Sequence, residues 1–493
     1  MAHKGRLAQL SPKDGAEMRC QIAVASFKSP SKRSRRGILS GLHSGLLCRA
    51  LVLLTLISVC YTSLFGIFSD HIHRFAGVLV DLSSLPEPVS SLLADMAAPR
   101  TLYYWLAKAS LLGFSLAATD KATYTDHSVT AIKTLQTFYD EPGGLWETTG
   151  WWNSANCLTV LGDFLSLAVD GANDLDLDSV LSNTFTQAQQ TSQTATKTLV
   201  KGSSRRLFES RYTASPVLGD SGLAARGFSG FINNYYDDEG WWALAWVRAY
   251  DVTGNAEYLD MAESIFADMQ GGVNGTCGGG IWWSKDRKYK NAIANELYLS
   301  VAASLANRAT GSDSYLSIAR DEWDWFKGSG MINEDNLIND GLDINPDGSC
   351  SNNGDTFWSY NQGVILGGLV ELSKATGDSE YLSEATSIAE AAIEALSENG
   401  ILHESCEPND CGADGSQFKG IFMRNLYYLQ LEAPQESFRS FILDNADSIW
   451  NNDRNSSDFL GLVWSGPPSA GGFPNASTQS SALDTLVAAV AVF

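Results

Sequence analysis

A short motif that ends one helix and begins the next recurs three times in this chain. It reads Thr-Gly, then Tyr-Leu after three further residues, at 253–259, 310–316 and 376–382. Glycine is favoured just past a helix C-terminus because it accepts the left-handed backbone found there. The motif therefore predicts helical hairpins that repeat at intervals of roughly 60 residues, and a regular interval is the mark of a repeat architecture.

Apolar residues at helical spacing fill most of the chain beyond residue 119, and strand-like alternation is scarce. The chain is thus predicted to be all-α. Helical hairpins arranged around a ring would form an (α/α) toroid, although periodicity alone does not close the ring. We predict twelve helices near residues 126–139, 155–170, 175–200, 241–252, 256–270, 292–309, 314–327, 362–376, 380–397, 418–431, 437–450 and 479–492.

Two adjacent acids, Asp237 and Asp238, lie between a tyrosine pair and a tryptophan pair in the segment 233–246, at the predicted start of a helix. Glycoside chemistry requires two carboxyl groups and flat apolar surfaces for sugar rings. The structural alternative is helix capping, since Asp and Glu are also favoured at helix N-termini. Aromatic surface around a charged pair favours a functional site, because burying charge is costly.

Other loops before helices combine aromatic, amide and cationic side chains. Aromatic faces can stack on sugar rings and amides can bond hydroxyl groups. Each such loop taken alone has a structural alternative, in which its aromatics pack in the core. Their recurrence at equivalent places favours a shared cleft. The candidate substrate-binding residues are Trp152, Asn153, Tyr236, Trp282, Trp283, Asn291, Asn295, Tyr360, Asn361, Gln362, Lys419 and Arg424.

Four sequence blocks resemble, in order, those of glycoside hydrolase family 76, the endo-α-1,6-mannanases, in its fungal branch. They are the Asn-Tyr-Tyr-Asp-Asp-Glu-Gly-Trp-Trp-Ala-Leu-Ala-Trp block at 234–246, Gly-Gly-Gly-Ile-Trp-Trp with Tyr-Lys-Asn-Ala within 278–296, Tyr-Asn-Gln-Gly at 360–363, and Phe-Lys-Gly-Ile at 418–421. The resemblance covers roughly residues 125–490. It implies an (α/α)6 barrel and retaining hydrolysis of α-1,6-mannan, with Asp237 as the nucleophile and Asp238 as the acid/base.

The residues themselves leave the assignment of the two roles open. Neighbouring aspartates can place their carboxyl groups at the roughly 5 Å separation that a retaining glycosidase needs. Such close acids titrate as a pair, so the sequence does not decide which one carries the proton. Two alternatives to hydrolysis also stay open: a transglycosidase that remodels cell-wall mannan or glycolipid glycans, and a non-catalytic carbohydrate-binding toroid.

The net charge of the chain and its sequence motifs limit which classes of molecule and metal it is expected to bind. The formal net charge is −22 although the first 49 residues are strongly basic, so the rest of the chain is very acidic. An acidic body argues against nucleic acid as a partner. The loop 343–354 begins like a calcium loop but ends in Gly354 instead of glutamate. We therefore predict a protein without cofactor or metal, and we expect it to be a monomer. The family resemblance implies mannan or a mannosylated glycan as its partner.

The N-terminal region is predicted to be a targeting region. We expect residues 1–49 to form a disordered basic segment, 50–118 a signal region, and 119–493 the hydrolase domain. The apolar run 50–68 could anchor the chain in a membrane, whereas a second signal-like segment starts at Met96, which we interpret as the true start.

Further features support a secretory route to the cell wall or the medium. Sequons occur at Asn274, Asn455 and Asn475, and a disulfide could close the turn between Cys406 and Cys411. The apolar C-terminus is short and lacks the preceding features of a lipid-anchor signal.

Overall fold

The computed structural model describes residues 121–167, 172–189, 193–199, 208–214 and 228–493. The predicted basic segment, both targeting segments and the proposed start at Met96 lie outside these residues, so the predicted domain boundaries stay predictions. Among the described helices, none combines the length with the apolar content that a membrane span requires.

Twelve helices account for most of the described chain, as the apolar spacing predicts. The helix α1 covers residues 121–136. The others are α2 (Trp151–Ser166), α3 (Leu177–Gln187), α4 (Tyr236–Thr253), α5 (Ala256–Met269), α6 (Ala292–Ala306), α7 (Ser312–Gly328), α8 (Ser359–Thr376), α9 (Glu380–Ala395), α10 (Phe418–Glu432), α11 (Glu436–Ser448) and α12 (Ala476–Ala491). A single helical turn, Gly412–Gly415, precedes α10.

Even-numbered and odd-numbered helices form two concentric layers. Each even-numbered helix contacts the next even-numbered helix along the chain, and α12 contacts α2. The inner ring of six helices is therefore closed. The inner helices are buried on nearly every side, for instance throughout α6 and α12. Odd-numbered helices bury one stripe only, such as Ala319, Trp323 and Phe326 of α7. This pattern is the predicted (α/α)6 barrel.

Buried amides at the start of inner helices hold the preceding loops. Asn295 on α6 accepts a hydrogen bond from Ile281 N at 2.7 Å and donates to the Ile281 carbonyl at 3.1 Å. Gln362 on α8 bonds both backbone groups of Ile338 at 2.8 Å. Each amide satisfies a buried donor and a buried acceptor of a loop. The loops at the N-terminal end of the ring are therefore fixed.

The strands are short and lie in loops. They are β1 (Tyr139–Asp140), β2 (Leu145–Trp146), β3 (Gln193–Leu199), β4 (Phe208–Ala214), β5 (Lys290–Asn291), β6 (Gly341–Ile344), β7 (Cys350–Asn352), β8 (Ser397–Glu398) and β9 (Ile401–Leu402). All pair antiparallel: β1 with β2, β3 with β4, β6 with both β5 and β7, and β8 with β9.

The antiparallel hairpin of β3 and β4, the covering hairpin, corrects one helix prediction. The sequence predicts a helix over 175–200, but α3 ends at Gln187 and β3 begins at Gln193. The segment 190–199 is rich in threonine, a β-branched residue that favours strands. The apolar residues at helical spacing belong to α3 and lie before that segment. The predicted helix is therefore too long at its C-terminal end.

Two disulfides fix loops. Cys406–Cys411 closes the predicted turn, and Cys277–Cys350 joins the loop before β5 to β7. Beside it, the buried Lys290 ammonium bonds backbone carbonyls of that loop, including Thr276 O and Gly280 O at 2.8 Å each. The loop 274–280 is thus held by a covalent bond and by a cation that takes up its inward carbonyl oxygens.

Candidate active site

The aspartate pair, Asp237 and Asp238, lies in the first turn of α4, at the N-terminal end of the inner ring. Asp238 is fully buried and Asp237 is 6% exposed. The helix begins after Tyr235, whose backbone is extended and whose side chain makes no capping bond. Tyr236 N donates to the Trp283 carbonyl at 2.9 Å, which ties the start of the helix to the loop before β5.

Helix capping does not explain the pair. Asn233 accepts a hydrogen bond from Tyr235 N at 2.7 Å, and Glu239 accepts one from Asn233 N at 3.1 Å. These two side chains serve the backbone before the helix. The aspartate carboxylates are directed to other side chains instead, so the structure separates the capping task from the acid pair.

One cation, Lys197 of β3, bridges both aspartates. Its Nζ lies 2.5 Å from Asp237 Oδ2 and 2.7 Å from Asp238 Oδ1, and its side chain is 4% exposed. The same ammonium lies 5.0 Å from the ring centre of Tyr235 and 5.5 Å from that of Trp283. Two oxygens that share one nitrogen at these distances are at most about 5 Å apart, the carboxyl spacing of retaining glycosidases.

The two acids have different environments. Burial raises the pKa of Asp238 to about 6, the Lys197 charge lowers it, and the Asp237 charge raises it. Asn233 also donates to Asp238 Oδ2 at 2.7 Å. Burial opposes the charge on Lys197, but the neighbouring acids outweigh it and raise the Lys197 pKa. At mildly acidic pH the site can therefore hold a proton on Asp238 beside a charged lysine.

A small cavity of about 30 Å³ lies against the pair. It has room for one or two water molecules but not for a sugar ring. Its walls are aromatic with acids between them. The lining residues are Trp152, Lys197, Asp237, Trp241, Trp283, Asn291, Asp340, Trp358, Tyr360, Asp414 and Phe418.

Two further acids, Asp414 and Asp340, are part of this wall. Asp414 accepts hydrogen bonds from Trp152 Nε1 at 2.8 Å and from Ser210 N of β4 at 2.7 Å. Asp340 accepts one from the Tyr289 hydroxyl at 2.5 Å. Such carboxylates can bind sugar hydroxyl groups because each oxygen accepts more than one hydrogen bond.

Of the predicted substrate-binding residues, Trp152, Trp283, Asn291 and Tyr360 line the same cavity as Asp237. Tyr360 stacks on Phe418 with ring centres 3.8 Å apart, which gives the cavity a flat apolar wall. Aromatic faces of this kind suit the apolar faces of sugar rings.

Four other predicted residues lie among buried neighbours. Tyr236 packs against Gly272, and Trp282 lies over the Lys290 ammonium at 5.0 Å. Asn153 and Asn361 are fully buried on inner helices, and their side chains have no hydrogen-bond partner among the described residues. None of the four lines the cavity.

The remaining four predicted residues have structural partners. Asn295 and Gln362 bond the backbone of Ile281 and Ile338, as described above. Lys419 forms a buried ion pair with Glu407 at 2.7 Å, and Arg424 bonds Asn156 and Asp484. These polar groups already serve the fold, so a role for the four in binding sugar stays a prediction from the sequence.

Sequence reasoning missed Lys197, Asp340 and Asp414, which complete the charge of the site. The sequence around Lys197 predicts a helix, so nothing in it indicates that this residue contacts the aspartate pair. The two acids follow loops with ordinary turn residues, and only the fold brings these loops beside α4. Trp241 belongs to the recognised tryptophan pair, and Phe418 to a recognised block, yet neither was predicted to face the cleft.

A larger cavity, of about 140 Å³, lies toward the C-terminal ends of the inner helices, away from the aspartate pair. Its prominent charges are paired with one another: Arg308 bonds both Asp251 and Glu371. We therefore assign the chemistry to the smaller cavity, where two acids share a single cation.

Comparison with known proteins agrees with this geometry. The model of glycosyl hydrolase family 76 matches residues 121–492. Mannan endo-1,6-alpha-mannosidase DCW1 of Candida albicans is 31% identical over 251 residues, which cover 46% of this chain and 55% of the relative. Mannan endo-1,6-alpha-mannosidase DFG5 of Saccharomyces cerevisiae is 29% identical over 271 residues, which cover 51% of this chain and 58% of the relative. The chain thus spans a little over half the length of these curated relatives.

Solved structures share the fold. The GH76A α-1,6-mannanase from Salegentibacter sp. HEL1_6 has a TM-score of 0.59 at 22% identity, over 75% of this chain and 100% of that chain. Its inactive variant with two aspartates replaced by asparagine, in complex with α-1,6-mannotriose, has a TM-score of 0.58 with the same identity and coverage. Dfg5 from Chaetomium thermophilum in complex with glucosamine has a TM-score of 0.59 at 17% identity, over 75% and 90% of the two chains.

Proposed function

The chain belongs to glycosyl hydrolase family 76, and on that basis we propose that it hydrolyses α-1,6-linked mannan backbones internally. The observation that carries the proposal is the aspartate pair: two adjacent buried acids that share one lysine within an aromatic cavity. The relatives named above as mannan endo-1,6-alpha-mannosidases support the substrate. So does the mannanase whose variant lacking two aspartates is inactive.

We assign the nucleophile to Asp237 and the acid/base to Asp238. Asp237 lines the cavity, and its Oδ1 has no hydrogen-bond partner among the described residues. Asp238 lies deeper, and its pKa of about 6 suits an acid that holds a proton when the substrate binds. This agrees with the roles that the family resemblance implies.

The first step forms an ester. The Asp237 carboxylate attacks the anomeric carbon, the bond from that carbon to the glycosidic oxygen breaks, and the Asp238 proton passes to that oxygen. The released mannan chain leaves with a new hydroxyl group. Aromatic walls such as Trp283 and Tyr360 exclude water from the reacting carbon, which strengthens the interaction of the carboxylates with the cationic transition state.

The second step hydrolyses the ester. Asp238, now ionised, takes a proton from a water molecule as the water oxygen attacks the anomeric carbon, and Asp237 leaves as a carboxylate. Two displacements on opposite faces restore the original anomeric configuration. The spacing of at most about 5 Å between the bridged oxygens supports this retaining course, since inverting enzymes leave roughly 6.5–9.5 Å for a water.

We further propose that the protein acts after passage through the secretory pathway, in the medium or at the cell wall. Disulfides such as Cys277–Cys350 persist in oxidising compartments, and two of them occur among the described residues. This agrees with the targeting segments and sequons predicted from the sequence.

The test is incubation with a debranched α-1,6-mannan, followed by sizing of the products. Internal cleavage gives a rapid fall in mean chain length, whereas release from an end leaves it almost unchanged at first. An α-1,2-linked mannan and the Asp237→Asn variant are the controls. Proton NMR of the first products should show the α anomer. Binding without new reducing ends would favour the carbohydrate-binding alternative, and transfer to an added acceptor sugar in place of hydrolysis would favour the transglycosidase.

A further inference from the structure

The covering hairpin presents one face to the cleft and the other to solvent. Lys197 pairs with Ser210 across the two strands, and Thr196 pairs with Arg211. Directly paired residues of antiparallel strands point to the same face. The Lys197 side chain and Ser210 are buried, whereas Thr196 and Arg211 are exposed. The hairpin is therefore seated on the cleft by the face that carries Lys197.

The Lys197 ammonium occupies the position that the scissile linkage needs. In a retaining glycosidase the anomeric carbon faces one carboxyl group and the glycosidic oxygen faces the other. Here Nζ lies 2.5 Å from Asp237 and 2.7 Å from Asp238. A sugar cannot bind between the two acids while the ammonium is there. The positive charge of the ammonium also stabilises the two carboxylates, as the cationic transition state of the reaction would.

We propose that the covering hairpin is a self-inhibitory plug whose Lys197 is a substrate mimic, and that substrate binds only after the hairpin leaves the cleft. The inference rests on the proposed function for the identity of the displaced ligand. The space beside the pair agrees with the proposal, since the cavity that has Lys197 among its walls measures about 30 Å³ and holds no sugar ring.

Two backbone bonds complete the closed position. Lys197 N donates to the Tyr235 hydroxyl at 2.9 Å, and Ser210 N donates to Asp414 at 2.7 Å. Both acceptors come from the barrel, one from each side of the cleft. Withdrawal of the hairpin would free Asp414 and the aspartate pair together. Opening thus exposes three carboxylates to the incoming sugar.

A ligand-free experiment tests the plug directly. Carboxyl groups are labelled with a carbodiimide and glycine ethyl ester, and the modified sites are mapped by mass spectrometry. We expect little label on Asp237 and Asp238 in the wild type, and at least about tenfold faster labelling in Lys197→Met, because accessibility scales with the open fraction. Arg211→Met removes a cation from the opposite face of the same hairpin and should label like the wild type.

Amide hydrogen exchange of the wild type provides a second test that needs no variant. With a continuous excess of α-1,6-mannotetraose, the amides of Lys197 and Ser210 should exchange faster while the start of α4 exchanges more slowly. Slower exchange at Lys197 and Ser210 would show that the hairpin binds the sugar, and would overturn the proposal. Unchanged labelling in a folded Lys197→Met would overturn it too. If the protein gives either of these two results but cleaves α-1,6-mannan, the plug is contradicted and the proposed function stands. If the protein neither cleaves nor binds the mannan, but Lys197→Met is labelled faster, the proposed function is contradicted and the plug stands.

Discussion

Asn233 donates a hydrogen bond of 2.7 Å from its side-chain amide to Asp238 Oδ2. Asp237 has no equivalent donor among the described residues, and its Oδ1 is without a partner there. The two neighbouring aspartates thus differ in their hydrogen-bond partners. Asp238 is held deep in the first turn of the helix, and Asp237 faces the cavity. Burial raises the pKa of Asp238 to about 6 and outweighs the Asn233 bond, which lowers that pKa. The two carboxyl groups thus have different environments, as an acid/base and a nucleophile require.

Replacement of each acid separates the two roles. Asp237→Asn and Asp238→Asn should both fold and should both lose mannan hydrolysis, each by about 10²-fold or more. A substrate with an activated aryl leaving group needs no proton, so it should restore the ester-forming step in Asp238→Asn but not in Asp237→Asn. Steady-state and burst kinetics on that substrate measure the difference.

The control for this pair is Glu239→Gln, which changes the next acid on the same helix turn. Glu239 bonds Asn233 N and pairs with Lys285, outside the cavity. It should therefore lose far less activity than either aspartate variant. If either aspartate variant keeps near-full activity on mannan, the pair is not the catalytic one.

The pH profile should fall on the alkaline side near pH 6. Burial raises the pKa of Asp238 to about 6, and hydrolysis needs the protonated form. The value of kcat/KM for mannan should thus decline about tenfold per pH unit above that point, since it reports the free enzyme. An activated aryl substrate should show a weaker decline in its ester-forming step. A mannan profile that stays flat to pH 8 would contradict the assignment.

The sequence predicted the helices well because their signal is local. Apolar spacing along a helix is set by its own core face, so eleven of the twelve predicted spans resemble the observed helices. The exception, 175–200, contains α3 and then β3. A strand of a hairpin that packs on a cleft is stabilised by its partner and by Tyr235 and Asp414, which are distant in sequence.

The site was predictable to the same extent. Asp237 and Asp238 are neighbours with an unusual aromatic setting, so a local pattern identifies them. Lys197, Asp340 and Asp414 come to the pair only through the ring. Asn295 and Gln362, which the sequence predicts to bind sugar, bond loop backbone in the structure. An amide that bonds a loop backbone and one that bonds a hydroxyl group have the same local sequence signature.

Glu404 should make stability fall as the pH rises. Its buried carboxyl group accepts hydrogen bonds from Ser359 N and Oγ, and burial raises its pKa to about 7. The folded state thus holds a proton that the unfolded state releases near pH 4.5. The associated stability is complete below pH 4.5 and is lost as the pH rises through 7, by about 3 kcal/mol.

Urea unfolding at pH 5 and pH 8 measures this loss. Glu404→Gln cannot titrate, so its stability should change less between the two pH values than that of the wild type. Glu394→Gln, an exposed substitution on α9, is the matched control and should behave like the wild type. An equal pH dependence in Glu404→Gln and the wild type would show that Glu404 stays ionised in the fold.

Two inner helices pack so closely that adding a single methyl group between them should lower the stability of the fold. A Cβ at Gly420 of α10 would lie 2.4 Å from the Ser481 carbonyl oxygen and 2.5 Å from the Ser481 Cα on α12. Backbone atoms cannot move aside cheaply, so Gly420→Ala should lower stability by about 1–3 kcal/mol. Gly328→Ala at the end of α7 meets no atom within 4 Å and should be neutral or slightly stabilising. Thermal unfolding compares the two, and equal melting temperatures would contradict the packing argument.

The two disulfides should contribute unequally to stability. Cys277–Cys350 joins residues 73 apart, and Cys406–Cys411 joins residues 5 apart. Loop-closure entropy then predicts about 4 kcal/mol for the long loop and about 2 kcal/mol for the short one. The long-range bond also ties down the loop 274–280, whose carbonyls bond Lys290, so its loss loosens a buried cation site as well. Paired Cys→Ser variants of each bond, compared by denaturant unfolding, should rank in this order. If the short-range pair costs as much as the long-range pair, local packing around Cys411 outweighs the constraint on the unfolded chain.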